Sequence, residues 1–168
     1  MSSTVMPDLI FFRRTMNPQT ACKDDFKAWI DLAREVEHLF GPMADVPTFR
    51  DALVQAIGGN NAFCIRNEQA GALVGGIVIS RETNEIVWLA VSEKSRGKGY
   101  GQALLEFALT HLNNLDHVLV QTFDETVPAG YPARRLYQRL GFQDYQKAAV
   151  NPAGIPTVIM RRSGNRQP

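Results

Sequence analysis

Arg96-Gly97-Lys98-Gly99-Tyr100-Gly101 puts three glycines and two cations into six consecutive residues. An apolar run with strand composition, Ile86 to Val91, precedes it. Helical spacing follows, with Leu105, Ala108, Leu109 and Leu112 at i, i+3, i+4 and i+7 on one apolar stripe. A strand, a glycine-rich turn and a helix in that order form a cradle for an anion. The first turn of a helix leaves backbone N–H groups unpaired, and the macrodipole gives that end partial positive charge. Glycine lets the main chain approach the ligand and adopt positive φ. Arg96 and Lys98 add two formal charges, so the expected ligand carries a pyrophosphate.

Two common phosphate motifs are absent. The dinucleotide fingerprint, counted from Gly97, needs a glycine where Gln102 stands. The P-loop needs Ser or Thr after Gly-Lys, and Gly99 follows Gly97-Lys98. The pattern Arg/Gln-x-x-Gly-x-Gly/Ala is satisfied by Arg96, Gly99 and Gly101, directly after Leu89-Ala90-Val91. Further on, Ala133-Arg134-Arg135-Leu136-Tyr137 with Gly141-Phe142 follows the pattern A-x-x-L-Y-x-x-x-G-F. In these two segments the chain resembles the GNAT superfamily of acetyl-CoA-dependent N-acetyltransferases, over roughly Ala62 to Met160.

The resemblance implies acetyl-CoA as co-substrate and direct attack by an amine in a ternary complex. It implies that the pantetheine arm pairs with the backbone of Leu89, Ala90 and Val91. The pyrophosphate would then lie on Arg96, Gly97, Lys98, Gly99, Tyr100, Gly101 and Gln102. An acceptor amine at neutral pH must lose a proton, at a cost of about 4.6 kcal/mol for a reference pKa of about 10.4. A neighbouring carboxylate lowers that cost. Glu85 occupies the position of the strand glutamate that serves as base in histone-type relatives; the competing reading is a solvated strand end beside Thr83-Asn84. Glu35, His38 and Asp124 are alternative bases. The resemblance makes Tyr137 the acid that protonates the departing thiolate, with Tyr131 a weaker substitute. Relatives often carry Asn three residues before the alanine of A-x-x-L-Y, where this chain has Gly130. The Phe123–Pro132 loop, with the acids Asp124 and Glu125, and the Gly41-Pro42-Met43 turn are expected to rim the acceptor pocket. Trp29, His38, Phe40 and Asp124 are candidate acceptor contacts, with core packing the competing role for Trp29 and Phe40.

The 168 residues suit one N-acetyltransferase domain, with tails at about 1–8 and 162–168. A 45% hydrophobic and 21% charged composition is that of an ordinary soluble protein. The net charge of +1 offers no global field for nucleic acid or membrane. No membrane span or signal peptide is read, which points to the cytoplasm. Cys22, Cys64 and three histidines lack metal-type spacing, so no metal is expected.

The elements that position the cradle follow from turn signals and periodicity. A short strand is expected at Leu9–Arg13, a turn at Asn17-Pro18, and one helix from Asp24 to Phe40, stopped by Gly41-Pro42. A second helix runs from Pro47 to Gly58-Gly59. Strands are expected at Ala62–Arg66, Ala72–Ser80 and Glu85–Val91, then the cradle helix at about Gly99–Leu112. A parallel strand at His117–Thr122, a helix at Ala133–Leu140 and a hairpin of Phe142–Ala148 with Thr157–Arg161 complete the chain. This is a mixed α/β fold: a mostly antiparallel twisted sheet of about six to seven strands, about four helices, and a parallel β-α-β pair at the coenzyme site. The partner is a small-molecule or peptide amine, with a homodimer possible from the resemblance. A non-catalytic acyl-CoA sensor is the alternative function, and a nucleotide binder is disfavoured by the two missing motifs.

Overall fold

A computed structural model describes residues 17–67 and 71–165. Its single sheet has seven strands: β1 Gln19–Thr20, β2 Ala62–Arg66, β3 Leu73–Ser80, β4 Glu85–Val91, β5 Val118–Phe123, β6 Phe142–Ala148 and β7 Thr157–Arg162. They lie in the order β1-β2-β3-β4-β5-β7-β6, and every neighbouring pair is antiparallel except β4–β5. The helices are α1 Phe26–Glu35, α2 Glu37–Phe40, α3 Pro47–Gly58, α4 Tyr100–Leu109 and α5 Tyr131–Arg139. Among the described residues the expected mixed α/β sheet is present, with five helices where about four were expected.

The extra helix arises because the expected Asp24–Phe40 helix breaks. A 3-10 turn at Lys23–Asp25 leads into α1, and Val36 (φ −106°, ψ 5°) separates α1 from α2. The break buries Val36 and turns Glu37 back, so that its Oε1 accepts from the N–H groups of Met43 and Ala44, both at 2.8 Å. Local periodicity cannot register that long-range cap. The expected strand at Leu9–Arg13 and the tail at 1–8 lie outside the described residues. The chain after Asn17-Pro18 instead pairs Gln19 with Cys64 and Thr20 with Phe63. Arg162 belongs to β7, where its guanidinium donates to the Leu140 carbonyl at 2.9 Å and to Asn114 Oδ1 at 2.8 Å. Residues 166–168 are not described.

Both sheet faces are covered. On one, α4 and α5 pack through Leu104, Leu105, Ala108 and Leu136 against Ile77, Ile86, Val118 and Val120. On the other, α1 and α3 pack through Trp29, Ile30, Leu53 and Ile57 against Ala62 and Cys64. At the outer edge, burial raises the pKa of Asp25, but hydrogen bonds from Arg66 and the Cys22 amide pull it below the usual carboxylate value. Arg66 donates to Asp25 through Nε at 2.7 Å and a terminal nitrogen at 2.5 Å, stapling the turn before α1 to β2. Among the described residues no helix is long and apolar enough to cross a membrane, and no group of His, Cys, Asp and Glu could hold a metal ion.

The α1 face requires a strand without a side chain. Trp29 is fully buried, and its ring lies so close to β3 that a Cβ on Gly76 would sit 2.8 Å from Cη2. Overpacking a rigid core position costs about 1–3 kcal/mol. Gly76→Ala is therefore expected to lower the unfolding free energy by about 1–3 kcal/mol, read as a lower denaturant midpoint at constant m-value; an unchanged midpoint would mean that Trp29 has room to move.

Candidate functional site

The cradle forms as the residue spacing implies. After β4, a 3-10 turn at Glu93–Ser95 leads to Gly97 (φ +73°) and Gly99 (φ +89°), and Gly99 is the N-cap of α4. Left-handed backbone disfavours side chains, so glycine at both positions is a conformational requirement. The Ala103 N–H bonds the Gly99 carbonyl at 3.0 Å, so the amides of Tyr100, Gly101 and Gln102 precede the first helical bond. No side chain caps this end. Arg96 and Lys98 are exposed beside it, and Arg96 Nε donates to the Val91 carbonyl at 3.1 Å, folding its side chain back over the turn. Gly101 faces α5, where a Cβ would approach Leu136 to 3.2 Å. Glu35 braces the approach from α1: its carboxylate accepts from Ser92 Oγ at 3.2 Å and the Glu93 N–H at 2.5 Å.

Beside the cradle the sheet opens. β3 pairs Val78 with Trp88 and Ile79 with Ile86, so Val87 has no partner and forms a bulge, 55% exposed. The extra residue switches the faces of β4. Ile86 shares the α4 side with Leu89 and Val91, whereas Trp88 and Ala90 face α1 and α3. It also turns β4 away from β5. The two strands pair only at Glu85–Leu119 and Ile86–Val120, after which the β5 side of β4 has no ladder partner. A cavity of about 230 Å³ fills the gap. Leu89, Ala133, Tyr137 and Thr122 line it toward α5; Phe40, Trp88, Phe123, Asn151 and Pro152 line it toward α2.

Tyr137 and Leu89, expected in one site from distant segments, meet in this cavity. Tyr137 is 4% exposed and packs edge-on against Phe142, with ring centroids 5.5 Å apart. Burial pushes the phenol pKa up, so the hydroxyl is protonated at neutral pH. Phe40 also lines the cavity, and its ring stands 5.5 Å from that of Phe123. Glu85 is half-buried at the closed end of the splay, just outside the lining. Strand alternation and its pairing with Leu119 put it on the face that Trp88 and Gln121 share.

The remaining candidates lie elsewhere. Trp29 is core, beneath Gly76, with ring centroid 5.7 Å from Trp88. His38 is exposed on α2 and does not line the cavity. Asp124 is 4% exposed, also outside the lining, and its carboxylate is committed. Lys147 Nζ donates to it at 2.5 Å and Thr126 Oγ1 at 2.9 Å, which pulls its pKa down to about 2 and leaves a very weak base. Glu35 is likewise occupied as a cap. Gly130, where relatives often carry Asn, is packed against Phe123 so closely that any Cβ would overlap the Phe123 Cβ.

Sequence reasoning missed several residues. Arg134 is 6% exposed, donates to the Phe123 carbonyl at 3.2 Å and grips both oxygens of Asp144, tying α5 to β5 and β6. Its spacing of i−3 from Tyr137 marks the same buried helix face, a signal the sequence does carry. Val87, Trp88, Gln121 and Asn151 had no comparable signal, since their place depends on the bulge and the hairpin. Gly99→Val is expected to lower acetyl-CoA affinity more than tenfold in calorimetric titration. The left-handed strain of about 1–2 kcal/mol should also appear in thermal unfolding. Unchanged affinity would show that the pyrophosphate does not use this turn.

No curated protein matches the chain. Solved structures do. A GNAT-family acetyltransferase from Bacillus cereus superimposes with a TM-score of 0.68 at 17% identity, covering 89% of this chain and 98% of that one. A phosphinothricin acetyltransferase from Sinorhizobium meliloti, in complex with AcCoA, gives 0.67 at 20% identity, covering 92% of each chain. Arabidopsis thaliana NAA60 with a bisubstrate analogue gives 0.67 at 14% identity, covering 89% and 98%. At these identities the likeness is one of fold. The sequence itself matches the family model described as Acetyltransferase (GNAT) domain over residues 59–144, a span that begins before β2 and takes in β4, the cradle and α5. With the left-handed glycine turn, the splayed strands and the family model in agreement, the chain belongs to the GNAT acetyltransferase family.

Proposed function

We propose that the protein transfers an acetyl group from acetyl-CoA to a primary amine. The observation that carries this reading is the pairing of two features at the unladdered part of β4: the glycine turn and helix start that follow the strand, and the cavity in which Leu89 and Tyr137 meet. The residues fit the coenzyme: two left-handed glycines, free helix amides and two cations suit its pyrophosphate. Arg96, Lys98 and the backbone from Gly97 to Gln102 would hold it. The open edge of Leu89, Ala90 and Val91 would take its amide-bearing arm as an added strand. When bound, the coenzyme supplies an acetyl group activated as a thioester.

The chain's own groups handle the protons. Glu85, on the α2 face of β4, draws a proton from the acceptor ammonium directly or through water. The backbone N–H of Leu89, which points to the open side of β4 because Ala90 and Ser92 pair with β3, would face the carbonyl oxygen as charge grows there, an effect worth about 3 kcal/mol. As the C–N bond forms and the C–S bond breaks, Tyr137 gives its proton to the departing sulfur. Products are an amide and a free thiol; Glu85 passes the first nitrogen proton to solvent, and the second, lost by the nitrogen as the amide forms, restores Tyr137 through solvent. The two free cysteines, one exposed and one buried, suit a reducing compartment such as the cytoplasm.

Tyr137→Phe should lower kcat about 10²-fold or more while leaving acetyl-CoA affinity near wild type. Unchanged turnover would remove Tyr137 from the reaction. Glu85→Gln should move the acid limb of the pH–rate profile upward, because the amine must then deprotonate unaided. A superimposable profile would assign the base elsewhere.

A further inference from the structure

The α2 side of the cavity is apolar and carries no charge of its own. Phe40, Trp88, Phe123 and Pro152 form its walls, and Gln121, Asn151 and Thr157 are its neutral polar groups. Gln121 Nε2 donates to Thr157 Oγ1 at 2.9 Å, and that hydroxyl donates to the Ala149 carbonyl at 2.5 Å, so even these are partly satisfied internally. The carboxylates on the surrounding turns are committed. Glu37 caps Met43 and Ala44, Asp45 pairs with Arg34 at 2.6 Å, and Asp124 pairs with Lys147. Glu125 is exposed and outside the lining. Among the described residues this leaves Glu85, at the closed end of the splay and just outside the lining, as the uncommitted carboxylate nearest the cavity on β4.

The other end of the cavity, beside Phe123 at the far end of β5 from Leu119, the partner of Glu85, is narrowed from above. The β6–β7 hairpin is joined to the α2 turn: Asn151 Nδ2 donates to the Leu39 carbonyl at 2.8 Å. Pro152 sits against Gly41 so closely that a Cβ there would lie 2.6 Å from Pro152 Cβ. The join walls off one side of this end beside β5. A second cation in it would lose its hydration against aromatic walls and find no counter-charge. An aromatic or branched aliphatic body would instead bury its surface there.

Building on the acetyl-transfer reading, we infer that the acceptor is a small primary monoamine with an apolar body, an arylalkylamine being the best-fitting class. Gly41, Asn151 and Phe40 set that preference. Polyamines, aminoglycosides and lysine side chains of peptides fit poorly.

The test is thiol release from acetyl-CoA with the full chain, comparing β-phenylethylamine, tryptamine and isoamylamine with spermidine, kanamycin and a lysine-containing peptide. Acetyl-CoA binding is followed calorimetrically in the same preparations. The expected result is a kcat/KM at least roughly tenfold higher for the apolar monoamines. Equal or higher values for the polycations or the peptide would overturn the acceptor inference and leave acetyl transfer standing. Coenzyme binding with no thiol release from any amine would overturn the transfer reading and this inference with it. Phe40→Ala gives a second readout. It should raise KM for β-phenylethylamine roughly tenfold with acetyl-CoA affinity unchanged; an unaltered KM would remove Phe40 from the acceptor wall.

Discussion

The bulge at Val87 is the constraint on which the site depends. One unpaired residue in β4 does three things together. It ends the parallel ladder after Ile86, opens the gap that becomes the cavity, and reverses which later residues face α4. Without the reversal, Ile86, Trp88 and Ala90 would share one face, and Trp88 could not meet Trp29 while Ile86 packs beneath α4. Among the described residues the sheet has two other register shifts, beside Arg66 and at Tyr145, but the one at Val87 is the interruption that adjoins the cavity.

Once the strands part, something must hold them apart without filling the space. Charged groups do so from outside the cavity. Arg134 anchors α5 to the Phe123 carbonyl and to Asp144, which sets the depth of Tyr137. Asp124 and Lys147 tie the end of β5 to β6, and Glu35 holds the turn before the cradle. Each of these carboxylates accepts hydrogen bonds from a fixed partner, so each is removed from proton transfer. The result is a neutral, largely apolar chamber framed by ion pairs. In such a chamber a single buried phenol carries disproportionate electrostatic weight.

Close backbone approaches complete the frame. Gly76 lets an indole lie flat on the sheet, Gly130 lets the loop after β5 pass against Phe123, and Gly41 lets the hairpin seat on α2. A side chain at any of these positions would push apart elements that bound the cavity. The absence of asparagine at Gly130 then reads as packing: Phe123 takes the volume, and its ring goes to the pair with Phe40.

Much of this was legible in the residues alone. β2, β4 and β6 have the expected bounds; for β2 and β4 a continuous apolar run between turn residues encodes them locally. The cradle was legible for the same reason: Arg96 to Gly101 need one another only across a few bonds, and glycine spacing reports backbone conformation directly. Tyr137 could be placed because its segment carries a recognisable pattern. What tertiary structure alone decided are features that arise between distant segments. The break at Val36 depends on Glu37 reaching Met43 and Ala44. The silence of Asp124 depends on Lys147, and the bulge at Val87 depends on how β3 and β5 compete for β4. Periodicity measures which face of its own element a residue occupies. It does not measure what stands opposite that face, and the identity of the opposing group makes Trp29 a core residue and Phe40 a cavity wall.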